Sequence, residues 1–180
     1  MKIIFLDYDG VVNNLVFIRP NGEPTFNCYD KKSLFKPFKI FGKYFFLRDR
    51  KVNDKQAIGW LNLICREFNA KVVVTSTWRT RKDYDKCLYR AGFKGEVIGR
   101  TDWLSITKGR GLEIQKWLDD HKDLKIEDFI ILDDDADMCH LMDHLIQTNS
   151  YDGLRGSHYA EIRKRWFTTA ETGASNEGLD

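Results

Sequence analysis

Oxygen-bearing side chains gather at the ends of three apolar runs in this chain. Asp7-Tyr8-Asp9-Gly10-Val11-Val12 follows Lys2-Ile3-Ile4-Phe5-Leu6, and Thr75-Ser76-Thr77-Trp78-Arg79 follows Val72-Val73-Val74. Asp133-Asp134-Asp135-Ala136-Asp137 follows Phe129-Ile130-Ile131-Leu132. A fourth segment, Lys108-Gly109-Arg110-Gly111, places bases between glycines at the mouth of a predicted helix. An unpaired charge inside a protein is expensive, so acids that close an apolar strand read as facing solvent, a cation or a substrate. Gly10 lets the chain turn after the first strand, so that Asp7 and Asp9 can share a cavity. One carboxylate could then attack while its neighbour moves protons. Acids, small hydroxyls, a base and glycines are the groups that magnesium-dependent phosphoryl transfer requires. Mg²⁺ takes hard oxygen ligands, while hydroxyls, backbone N–H groups and cations neutralise phosphate oxygens.

The elements that must position these groups follow from hydrophobic periodicity. Lys2–Leu6 reads as a strand buried on both faces, and further strands are expected at Ala70–Thr75, Glu96–Gly99, Phe129–Leu132 and Leu145–Thr148. Residues 54–68 place Ala57, Trp60, Leu61, Ile64 and Phe68 on one helical face, capped by Asn53 or Asp54. Thr80 and Asp83 resemble a cap before Tyr84, Cys87, Leu88 and Ala91, with Gly92 as the stop. Residues 111–121 and 136–144 continue the helical pattern. Strands alternating with helices predict an α/β, Rossmann-like, doubly wound and mostly parallel five-stranded sheet, with helices on both faces. Ligands of such sheets gather at the carboxyl ends of the strands.

Residues 13–52 break that rhythm. They hold all three prolines and a dense aromatic set, and read as an insert or small flap after the first strand, with a hairpin around Phe38–Leu47. Within them, residues 31–51 carry eight Lys or Arg against the single acid Asp49. Two readings stay open: aromatics covering the sheet beneath a lysine-coated surface, or a flap whose cations attract an anionic substrate while a ring stacks on a base. Residues 168–180 lack apolar periodicity and are expected to form a loose tail, leaving residues 1–167 as one domain.

Composition bounds the rest. With 180 residues, 42% hydrophobic and 31% charged, the chain is long enough for one globular core and is not of a disordered class. A net charge of +2 does not by itself imply a polyanion partner. No apolar run approaches a membrane span and no leader pattern opens the chain, so no membrane contact and a cytoplasmic location are expected. Cys28, Cys65, Cys87 and Cys139 are scattered and read as buried free thiols. Trp60, Trp117 and Trp166 read as core residues, while Trp78 and Trp103 flank the loaded segments.

The ordered segments resemble the four motifs of the haloacid dehalogenase (HAD) superfamily, most of whose members are phosphohydrolases. Asp7-Tyr8-Asp9-Gly10-Val11 matches its Asp-x-Asp-Gly motif, Val74-Thr75-Ser76 its second strand end, Lys108 or Arg110 its basic third motif, and Leu132-Asp133-Asp134 its acidic pair. Thr-Ser-Thr-Trp-Arg, the Gly-Arg-Gly helix start, the triple aspartate and the closing Gln147-Thr148-Asn149 and Asp152-Gly153-Leu154 segments look most like a compact branch found in RNA-repair proteins and small bacterial or phage phosphatases. The resemblance implies that Asp7 attacks phosphorus and Asp9 protonates the leaving oxygen and then activates water. It implies that Asp7, the main-chain carbonyl of Asp9 and Asp133 hold Mg²⁺, with Asp134 or Asp137 as a further ligand or support. Thr75 or Ser76 would bind the phosphoryl group, Lys108 or Arg110 would offset its charge, and Gly10 would contact substrate; Arg79 reads either as a contact to substrate phosphate or as a surface arginine. The implied substrate is a small phosphorylated molecule, a nucleotide or a nucleic-acid end. The rival readings are a receiver-like phospho-signalling module, which uses strand-end aspartates in another order, and a non-catalytic binding module on the same fold.

Overall fold

A computed structural model describes residues 1–13, 37–40, 43–46, 54–104 and 109–174, with backbone only for 37–40, 43–46 and 168–174. Among the described residues, seven strands and four α-helices follow in chain order: β1 (Lys2–Leu6), β2 (Pro37–Ile40), β3 (Lys43–Phe46), α1 (Lys55–Phe68), β4 (Lys71–Val74), α2 (Tyr84–Arg90), β5 (Val97–Arg100), α3 (Arg110–Asp120), β6 (Asp128–Asp133), β7 (Leu145–Gln147) and α4 (Gly156–Ala174). Short 3-10 turns occupy Thr77–Thr80 and Cys139–His144. The main sheet has the order β5-β4-β1-β6-β7, and every pairing in it is parallel. The expected five-stranded doubly wound α/β architecture is therefore what the chain adopts.

Alternate residues of β1 face opposite ways, and each face finds its own cover. Ile4 and Leu6 pack with Val72, Val74, Ile130 and Leu132 against Leu61 and Ile64 of α1, Leu88 of α2, and Ile162 and Trp166 of α4. Ile3 and Phe5 pack with Val73 and Ile131 against Ile114 and Trp117 of α3 and against Met138 and Leu141. Trp117 and Trp166 are core residues as expected, and Trp60 stacks half-buried on Tyr159. β2 and β3 form the expected hairpin as a separate antiparallel pair. The remainder of the 13–52 insert lies outside the described residues, but its ends meet: the Asp54 N–H donates to the Val12 carbonyl at 2.7 Å. Asp54 also caps α1, its carboxylate accepting the Gln56 N–H at 2.7 Å.

Three local expectations change. Residues 136–144, read as helical, instead run without regular structure to Met138 and then form the 3-10 segment Cys139–His144; Met138 and Leu141 are buried and Met142 is exposed. α4 was not anticipated, and it extends to Ala174, into the segment expected to be a loose tail. Its inward face is sparse (Tyr159, Ile162 and Trp166 among charged neighbours), so docking on α1 rather than periodicity defines it. Cys65 and Cys87 are buried free thiols, whereas Cys139 is exposed. Among the described residues no helix is long and apolar enough to cross a membrane.

Candidate active site

Sheet register assembles the site. Leu6 pairs with Val74 on one side and Leu132 on the other, so the next residues of three adjacent strands, Asp7, Thr75 and Asp133, emerge side by side at the carboxyl edge. The row is held by backbone bonds: the Asp7 N–H donates to the Leu132 carbonyl and the Thr75 N–H to the Leu6 carbonyl, both at 2.9 Å. Asp7, Thr75, Ser76 and Asp133 are all buried.

After β1 the chain winds tightly, with the N–H groups of Val11, Val12 and Asn13 all directed at the Tyr8 carbonyl. Gly10 has φ +77°, and a Cβ there would collide with the Asp134 carboxyl. Only glycine both adopts that backbone without strain and lets the two acidic loops approach. Gly10 is thus a packing requirement of the site.

Asp7, Asp133 and Asp134 each direct a carboxylate oxygen into one space, the three oxygens lying within 4.8 Å of one another. Ser150 Oγ donates to Asp134 Oδ2 at 2.7 Å, and Gln147 Nε2 to the Asp134 carbonyl at 2.9 Å. Thr148 ties the two acidic loops together, its N–H donating to the Asp133 carbonyl and its Oγ1 to the Gly10 carbonyl at 2.7 Å. The functional side of Thr148 and Ser150 was not anticipated; the closing Gln147-Thr148-Asn149 segment was the available signal. Asp135 is exposed, and Asp137 does not join the cluster: its Oδ2 accepts the Arg110 N–H at 3.1 Å, capping α3.

That cap places the third motif. A Cβ on Gly111 would collide with the Met138 carbonyl, so the start of α3 lies directly on the β6 loop. Arg110 Nη1 consequently reaches Asp7 Oδ1 at 2.5 Å, Asp133 Oδ2 at 3.1 Å and the Thr75 carbonyl at 3.2 Å. Lys108, the other candidate base, lies outside the described residues.

Asp9 is held apart from the cluster. Its Oδ2 accepts from Trp78 Nε1 and its Oδ1 from Asn13 Nδ2, both at 3.1 Å. Trp78 is buried beside Tyr8, with ring centroids 5.9 Å apart. Arg79 was expected at a substrate phosphate, but it is turned inward and only 4% exposed. It donates to the Thr75 carbonyl and pairs with Glu113 of α3, which is buried as well. An arginine so engaged braces the second motif against α3 instead of meeting solvent; its partner is 34 residues away, beyond the reach of sequence pattern.

Electrostatically the site is short of positive charge. Burial pushes the Asp7 carboxyl up to about 6, against the charge and hydrogen bond of Arg110. Burial, and then the Asp7 charge, push Asp133 up to about 8, again against Arg110. Burial alone would loosen the Arg110 proton, but Asp7 and Asp133 outweigh it and hold it more firmly. Among the described residues, Thr75 Oγ1 has no hydrogen-bond partner, and Asp133 Oδ2 has the Arg110 guanidinium at ion-pair distance but no hydrogen bond. Such groups are rare in folded proteins, and at this strand edge they leave capacity for a ligand to complete the set. Three convergent carboxylates with an orphaned oxygen fit a hard divalent cation such as Mg²⁺.

Comparison with known proteins agrees with this geometry. Residues 3–159 match a family model described as the HAD domain in Swiss Army Knife RNA repair proteins. No curated protein and no solved structure matches the chain significantly.

Proposed function

The chain belongs to the family of HAD domains found in Swiss Army Knife RNA repair proteins, a membership that supports a phosphatase-type function, and from it we propose a Mg²⁺-dependent phosphomonoester hydrolase that works through an aspartyl-phosphate. The favoured substrate is the terminal phosphate of a nucleotide or nucleic acid. The observation that carries the reading is the row Asp7–Thr75–Asp133, bridged by Arg110.

In this reading an Asp7 oxygen attacks phosphorus, and the bond to the leaving oxygen breaks with its electron pair. Asp9 gives that oxygen a proton and then takes one from the water that hydrolyses the acyl phosphate, restoring both carboxyls. Trp78 and Asn13 set the direction of Asp9 before substrate arrives. Thr75 is the better phosphoryl contact of the two hydroxyls: its Oγ1 is unpartnered, whereas Ser76 is engaged with Asp7 and with the Trp78 N–H. Arg110 offsets the charge gathered on Asp7 and the phosphoryl oxygens. Asp7, Asp133 and Asp134 would hold Mg²⁺, with the Asp9 carbonyl as a further ligand. Bound there, the ion supplies neutralisation of the phosphoryl oxygens and orientation of the attack.

The test is hydrolysis of p-nitrophenyl phosphate, nucleoside monophosphates, and 3′- and 5′-phosphorylated oligonucleotides, with Mg²⁺ and with EDTA. Turnover should require Mg²⁺ and disappear in Asp7→Asn and Asp9→Asn. Hydrolysis that survives Asp7→Asn, or slow autophosphorylation without turnover, rejects the reading.

A further inference from the structure

We propose that Trp103 is a stacking platform for the nucleobase next to the phosphate being cleaved, a proposal that rests on the reading of nucleotide or nucleic-acid ends as substrate. All five tryptophans are described, and Trp103 alone is exposed, at 47%. A half-exposed indole presents a flat π-face on which a base can stack.

The ring is built in. The Arg79 guanidinium carbon lies 5.1 Å from its centroid, so one side rests on a buried cation. The next residue is pinned, the Leu104 N–H donating to Glu113 Oε1 at 3.1 Å. Arg79 is itself bonded to Glu113 and to the Thr75 carbonyl, which also accepts from the Arg110 Nη1 that holds Asp7. Trp103 is therefore separated from the catalytic row by a single guanidinium. A ring braced by that cation and still half exposed needs little ordering to receive a flat partner.

Cations border it. Arg100, exposed at the end of β5, donates to the Arg79 carbonyl at 2.6 Å, and the partly exposed Arg81 lies over the Trp78 ring at 5.5 Å. An aromatic surface beside arginines is the combination that binds a base and its flanking phosphates, tolerating any base because every base has a π-face. The chemistry required is a base one sugar away from the scissile phosphate, which both a mononucleotide and a strand terminus supply.

The experiment compares wild type with Trp103→Ala and Trp103→Phe on p-nitrophenyl phosphate, nucleoside monophosphates, phosphorylated oligonucleotides, and the same oligonucleotides with an abasic terminal residue. Trp103→Ala should raise KM about ten-fold on base-bearing substrates, well beyond any change on p-nitrophenyl phosphate or abasic ends, and Trp103→Phe should recover most of it. A loss confined to oligonucleotides identifies a strand terminus as the ligand; an equal loss on mononucleotides identifies the single nucleotide. A second measurement needs no turnover: quenching of tryptophan fluorescence by an unphosphorylated oligonucleotide should be present in wild type and lost in Trp103→Phe. Quenching without hydrolysis of any substrate would reject the phosphatase reading and keep the platform. Hydrolysis with no quenching, or with equal Trp103→Ala losses on all substrates, would overturn the platform and leave the phosphatase standing.

Discussion

Arg110 Nη1 stands 2.5 Å from Asp7 Oδ1, joining residues 103 positions apart in the chain. The same nitrogen is 3.1 Å from Asp133 Oδ2, so one guanidinium spans two carboxylates of the acidic cluster. In the metal-free protein Arg110 is the counter-charge that lets two buried acids face each other.

Removing it should therefore be costly. Arg110→Ala takes the counter-charge from Asp7 and Asp133, and urea denaturation of the metal-free protein at about pH 9, where both acids must ionise, should show a loss of about 3 kcal/mol, shrinking at lower pH as the acids take up protons. Added Mg²⁺ should restore more stability to Arg110→Ala than it adds to wild type. Turnover should fall at least about a hundred-fold, with Arg110→Lys intermediate because it keeps charge without the planar fork. An Arg110→Ala protein as stable as wild type in EDTA would refute the counter-charge role.

The raised carboxyls make stability depend on pH in a defined direction. Asp7 at about 6 and Asp133 at about 8 bind their protons more tightly folded than unfolded, where the value is 3.8. Their ionisation opposes folding, so the melting temperature of the metal-free protein should fall as pH rises from about 4 through about 8. Asp133→Asn should flatten the upper part of that fall. Mg²⁺, which needs the deprotonated carboxylates, should raise the melting temperature more at pH 8 than at pH 5. Scanning calorimetry across this range checks both; an unchanged slope in Asp133→Asn would remove Asp133 as the source.

Gly10→Ala should damage fold and site together. The new methyl meets the Asp134 carboxyl, and φ +77° strains any residue with a Cβ. A loss of roughly 1–3 kcal/mol is expected, with Mg²⁺ affinity lowered as Asp134 is displaced. Titration calorimetry with Mg²⁺ separates the two effects, and unaltered affinity would contradict the contact.

The Arg79–Glu113 pair should behave as a structural clamp. Glu113→Ala strands a buried guanidinium and should cost about 3–5 kcal/mol, while Glu113→Gln, which retains an acceptor, should cost less. A surface pair would lose under about 1 kcal/mol in either variant, and chemical denaturation distinguishes the cases.

Most of the site's chemistry was legible before its geometry. Apolar runs ending in Asp7, Thr75 and Asp133 carry their meaning locally, because a strand buried on both faces has no other use for polar groups at its carboxyl end. Asp54 as a cap and the Phe38–Leu47 hairpin were readable for the same reason: each signal lies within a few residues. The long helix α4 was not, since Tyr159, Ile162 and Trp166 make too thin a stripe and depend on partners such as Trp60 and Phe68.

Composition and order alone determined that this chain would form a parallel α/β sheet with acids and hydroxyls at its strand ends, because apolar periodicity and local turn chemistry act over short stretches. Tertiary structure alone decided what each polar group faces. Arg79 turned from a presumed phosphate contact into a buried partner of Glu113, Asp137 became a cap for α3, and Trp78 and Asn13 became the holders of Asp9. Burial and pairing between distant segments make those choices, since a charge is satisfied by whatever folding brings within a few ångströms, and residue type does not record that partner.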